Sequence, residues 1–149
     1  MLAVNWYCNI MVMELFSSQI KYLNLSQPLE FEEIQAYPSS ILENDEFLLC
    51  YEINQDQSRS IEPEREQFLG NLSFIGKKAV TGAILLPAGR YIFAQYRRET
   101  PLNPDEWLDM AIELQKDGLW ERNKLGNLLY VRFLHEDSKF VTQIFREIN

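Results

Sequence analysis

The sequence predicts a single α+β domain built from two βαββ halves. Three observations lead there. Runs of β-branched and aromatic residues, bounded by turn formers, recur along the chain. One helix, after residue 103, carries both a start and a stop signal. The order strand, helix, strand, strand can be read twice, at about residues 12–76 and 79–149, within one domain spanning 1–149. A chain of 149 residues can bury roughly two-thirds of the surface its unfolded form exposes, so neither a disulfide nor a metal is required.

Taken in order, the elements begin with a weakly alternating stretch that predicts one strand between residues 13 and 25. Residues 27–37, Q-P-L-E-F-E-E-I-Q-A-Y, read as a short helix, with Ser26 at the N-cap, Pro28 in the first turn and acids following. Residues 46–53, E-F-L-L-C-Y-E-I, form the best strand of the first half. Strand alternation puts Phe47, Leu49, Tyr51 and Ile53 on one face and Leu48, Cys50 and Glu52 on the other. Residues 54–66 are polar, charged and broken by Pro63, which predicts a long surface loop; residues 68–75 return as a strand.

Residues 80–86 and 90–97 read as the arms of a hairpin closed at Pro87-Ala88-Gly89. Asn103-Pro104-Asp105-Glu106 then supplies an N-cap acceptor, proline at N1 and a glutamate able to close a capping box. Trp107, Met110, Ala111 and Leu114 recur at helical spacing, and Gly118 is placed as a left-handed C-cap. Residues 128–134 and 140–147 are two closing strands around a His-Glu-Asp-Ser turn.

Composition excludes several functions. The net charge of −8 and scattered basic residues do not suit a nucleic-acid surface, which needs clustered lysine and arginine. The apolar start lacks the basic region of a signal peptide, and no run reaches the roughly 20 residues of a membrane span. A cytoplasmic protein with no membrane partner is therefore expected. Met11 and Met13 offer alternative starts, which makes the first dozen residues a candidate extension. Two cysteines, Cys8 and Cys50, and one histidine, His135, cannot build a zinc site or a CxxC redox pair. No cofactor is expected. His135 sits in a turn, and no serine or cysteine has a partner histidine in nucleophile context, so triad chemistry has no support.

The stretch L-P-A-G-R-Y-I-F-A-Q-Y, followed by a tryptophan-bearing helix and two closing strands, resembles the GyrI-like family, the effector-binding domains of some bacterial transcription regulators. The match covers the second half of the chain well and the first half more loosely. The resemblance implies two βαββ modules whose antiparallel sheets form a ligand groove, with helices on the opposite side. It implies a stand-alone binding domain for an aromatic or lipophilic small molecule, without a DNA-binding segment. Family members that bind cationic drugs use a buried glutamate on the first closing strand. Here residues 127–133, N-L-L-Y-V-R-F, hold no carboxylate, and Arg132 lies near where it would stand. A neutral or anionic planar ligand is expected instead.

Within that frame Tyr91, Phe93 and Gln95 share one strand face, and Tyr130 and Arg132 share a parity that could extend it. Trp107 on the helix, Trp120 after the glycine, and Tyr51 and Glu52 on opposite faces of their strand complete the candidate ligand-binding set. No catalytic residue is assigned. The alternatives are a small hydrolase on the same scaffold, with Glu52 or Glu99 as general base and a tyrosine as acid, or a domain whose groove takes a protein partner.

Overall fold

The structure is a computed structural model that describes residues 12–16, 20–82 and 84–148. Residues 1–11 of the suggested N-terminal extension, with Cys8 and Met11, lie outside these residues. The strands are β1 (Val12–Phe16), β2 (Ile20–Leu25), β3 (Leu29–Glu33), β4 (Glu46–Ile53), β5 (Leu69–Lys78), β6 (Ile84–Leu86), β7 (Gly89–Arg98), β8 (Leu125–Glu136) and β9 (Lys139–Ile148). The helices are α1 (Arg65–Phe68), a single turn, and α2 (Pro104–Trp120).

The nine strands of the described residues join one antiparallel sheet in the order β1-β2-β7-β9-β8-β4-β5-β3-β6. This corrects the expected fold class: the protein is a mostly-β half-barrel carrying two helices, not a pair of βαββ modules. The first-half helix that the duplication needed is β3. Leu29, Phe31 and Glu33 alternate at strand period, Phe31 is fully buried, and the strand pairs with both β5 and β6. Long-range pairing there overrides the local capping signals of Ser26 and Pro28.

The predicted hairpin is also corrected. β6 pairs with β3, whereas β7 pairs with β2 and β9. Pro87-Ala88 is the corner of one bent strand, and 26–28 is the corner of its antiparallel partner: Leu25 lies opposite Gly89 before the bend and Leu29 opposite Leu86 after it. These corners require the sheet to curl. β6 and β7 stand six places apart in the sheet, about 29 Å if it were flat at ~4.8 Å per strand. The chain from Leu86 to Gly89 spans at most about 11 Å. Only a sheet bent back on itself brings those strands so close.

Curling gives two cores. The inner face buries Leu23, Phe31, Leu48, Phe74, Leu86, Tyr91, Phe93, Tyr130 and Phe145, drawn from strands along most of the sheet. The outer face buries Leu49, Ile53, Ile92, Val131 and Ile144 under Trp107, Ala111 and Leu114 of α2. Asn103 and Glu106 form the expected capping box. Gly118 is not the C-cap, however: the helix runs on to Trp120, and Gly118 lies buried within it, close against Ile92. The expected surface loop 54–66 is pinned. Gln115 donates to the carbonyls of Gln57 and Ser60 (both 2.8 Å), and Arg146 donates to that of Ser58 at 3.1 Å. β8 and β9 close through Asp137 and Ser138, whose positive φ values of 53° and 62° make the two-residue turn that antiparallel twist favours.

Candidate functional site

On the outer face, where α2 leaves β4 and β5 uncovered, an apolar pocket of about 590 Å³ opens. Its floor is the sheet: Leu49 and Tyr51 of β4, Leu72 and Ile75 of β5, Phe133 of β8 and Phe140 of β9. One wall is the start of α2, with Pro101, Leu102, Pro104 and Trp107; the other is the segment Tyr37–Ile41. Each wall is held by its own local chemistry. Arg98 grips Glu106 at 2.6 Å, and Glu106 in turn accepts from the Asn103 backbone at 3.0 Å, which fixes the first turn of α2. Opposite, Tyr37 packs edge-on against Phe47 and Phe133, with ring centroids 5.8 and 5.3 Å away. The same loop is closed by Leu42 N–H donating to Asp45 at 2.7 Å and docked by Asn44 N–H donating to the His135 carbonyl at 2.7 Å.

Among the described residues, no charged side chain lines this pocket. Its side-chain polar groups are the hydroxyls of Tyr37, Ser39, Ser40 and Tyr51 and the indole N–H of Trp107. Burial pushes the phenols of Tyr37 and Tyr51 above their ordinary range, so both stay neutral across physiological pH. Tyr51 meets Trp107 with ring centroids 5.5 Å apart at a tilt of 44°. Aromatic walls with a few neutral hydrogen-bonding groups suit an uncharged, largely apolar guest.

The nine sequence-derived candidates divide among three places. Tyr51 and Trp107 line the outer pocket together. Tyr91, Phe93, Tyr130 and Arg132 are buried on the inner face, with Gln95 half-buried beside them. Tyr91 and Tyr130 pack at 6.2 Å and Phe93 against Phe145 at 5.2 Å, so the shared strand face is a packed core. Arg132 is paired: Glu46 accepts from it at 2.6 Å and Gln143 at 2.9 Å, and Gln143 donates onward to Gln95. Glu52 and Trp120 are exposed, Trp120 by 77% at the end of α2. Glu99 pairs with Lys139 on the surface.

Cys50 lies within the inner core, where burial first, then the nearby carboxylates of Glu147 and Glu52, push its thiol up to about 12. It is held as a thiol and is a poor nucleophile. No group of three His, Cys, Asp or Glu side chains among the described residues could hold a metal ion. No helix among them is long and apolar enough to cross a membrane.

Sequence reasoning missed Tyr37, Ile41, Leu72, Ile75, Phe133 and Phe140. The available signal was apolar residues, Tyr37 and Ile41, flanking Pro38-Ser39-Ser40 where a solvated turn would be polar throughout. No known protein-family model matches the chain, and no curated protein is detectably similar to it.

Proposed function

We propose that this protein is a non-catalytic binding module for a neutral, aromatic or lipophilic small molecule, held in the outer pocket between Tyr51 and Trp107. One observation carries the reading: a 590 Å³ pocket that no charged side chain among the described residues lines, in a chain of net charge −8. Excluding every carboxylate from so acidic a sequence leaves a site that penalises ions of either sign, since a buried charge needs a partner there. The GyrI-like resemblance rests on residues 86–96 and on the order of the tryptophan-bearing helix and two strands after them, and it would make such a guest an effector molecule. The pocket itself does not depend on it. The hydrolase alternative loses ground at this site, because Glu52 points to the opposite sheet face from Tyr51 and no other acid lines the cavity.

The test is a thermal-shift series with matched planar compounds: 2-naphthol, 2-naphthoate and a naphthyl-ammonium ion. Stabilisation by a ligand of the folded state follows its concentration relative to its affinity. The neutral compound should raise the melting temperature and quench Trp107 fluorescence, and Leu72→Trp, which fills the pocket from its partly exposed edge, should abolish both. Preferential stabilisation by either ion, or an undiminished effect in Leu72→Trp, would overturn the assignment.

A further inference from the structure

A second cleft, of about 260 Å³, lies beyond the C-terminal end of α2, and Arg59, Leu119, Asn123, Lys124 and Leu125 line it. Two of its five lining residues are cations and none of the five is an acid. Arg65, Arg97, Arg98, Lys116, Arg132 and Lys139 all sit on carboxylates. Arg59 and Lys124 belong, with Lys77, Lys78, Arg90 and Arg122, to the cations that have no ion pair among the described residues, and both are exposed at the cleft. The two nearest acids on α2, Asp117 and Glu121, do not line it.

A third cation lies underneath. Arg146 is 1% exposed, and its guanidinium donates to the Gly126 carbonyl (2.6 Å), Gln115 Oε1 (2.7 Å) and the Ser58 carbonyl (3.1 Å), all neutral acceptors. Burial pulls its pKa down to about 10, opposed in part by the charge of Glu147, and still leaves it charged at neutral pH. Ser58 and Gly126 are the chain neighbours of Arg59 and Leu125, so this charge sits just behind the lining. The floor is rigid: Asn123 donates from its side chain to Tyr22 Oη at 2.8 Å and to the Gly118 carbonyl at 3.2 Å.

We infer that this cleft is a binding site for a small organic carboxylate. The anionic head would lie between Arg59 and Lys124, in the field of Arg146, with a short aliphatic tail against Leu119 and Leu125. Two cations at the rim, with Arg146 buried behind them, place positive charge at the cleft, and the Glu147 carboxylate beside Gly126 offsets part of the Arg146 charge. The cavity is below the ~300–1,000 Å³ of sites for drug-sized ligands, which selects a metabolite-sized acid. This site is independent of the outer pocket.

The experiment is an amide NMR titration of the full chain with sodium butanoate at constant ionic strength. Butylammonium and inorganic phosphate serve as comparison probes. Saturable shifts should appear at residues 58–60 and 123–125, and Arg59→Gln with Lys124→Gln should weaken butanoate at least about tenfold, the loss of charge-assisted contacts. The pair Lys77→Gln with Lys78→Gln removes the same charge elsewhere and should leave affinity unchanged. Failure of butanoate to saturate, phosphate or butylammonium binding more tightly than butanoate, or equal losses in the two double variants would each overturn the inference.

Discussion

Gly118→Ala distinguishes the two roles open to that glycine, a left-handed C-cap or a contact point between helix and sheet. Replacing glycine by alanine inside a helix gains about 1 kcal/mol in propensity. The added Cβ, however, would stand 2.7 Å from Ile92 Cδ1 and 3.3 Å from Leu125 Cδ2. Carbon atoms prefer roughly 3.5–4.0 Å. Ile92 is fully buried beneath α2, so its methyl must move within a filled core, at an overpacking cost of about 1–3 kcal/mol. The net expectation is a loss of about 1 kcal/mol, read as a lower urea midpoint at unchanged slope. Ile92→Val alone should cost about 1 kcal/mol, because it deletes the same Cδ1 and leaves a void. In the double variant the new Cβ occupies that void, and the combined loss should fall near zero. The resulting coupling is about 2 kcal/mol, well beyond the ~0.5 kcal/mol of independent sites. A C-cap glycine would give a different result: alanine would be strained by backbone conformation alone, and Ile92→Val would not rescue it. Additive losses, or a Gly118→Ala variant more stable than the parent, would refute the packing argument.

Glu46→Leu should destabilise by about 3 kcal/mol in urea unfolding, since it removes the carboxylate from the buried Arg132 guanidinium, while the double change with Arg132→Met should recover most of that loss. In a Cys8→Ser background, Cys50 should resist iodoacetamide at pH 8 until denaturant is added; rapid labelling of the folded protein would contradict its burial and raised pKa. Glu106 is held below the ordinary glutamate value of 4.5, chiefly by its hydrogen bond to Arg98 and then by the Asn103 backbone. A depressed carboxyl contributes stability that is present above its unfolded value and lost as pH falls through the folded one. Parent stability should therefore fall more steeply below about pH 4.5 than that of Glu106→Gln; parallel melting curves across that range would count against the interaction.

The local grammar of the chain determined much of what is seen. The alternation of residues 46–53 defined β4 and the facing of Tyr51 against Glu52, because strand period 2 leaves no other arrangement. Asn103, Pro104 and Glu106 set the start of α2, since N-cap chemistry is satisfied within four residues. The parity that grouped Tyr91, Phe93, Gln95, Tyr130 and Arg132 on one face holds in the sheet. Tertiary structure decided what that face does. Whether a strand face is a groove or a core depends on how the sheet curves, and curvature came from which strands pair across corners at 26–28 and 87–88. Pairings between Leu29 and Leu86, or Phe31 and Lys78, join residues about fifty apart, and no local pattern encodes them. Curling filled the inner face with Phe31, Phe74 and Leu86 and left the outer one open beside α2. The apolar pocket therefore lies on the side of Tyr51 and Trp107: a single helix is too narrow to cover the outer face of a nine-stranded sheet.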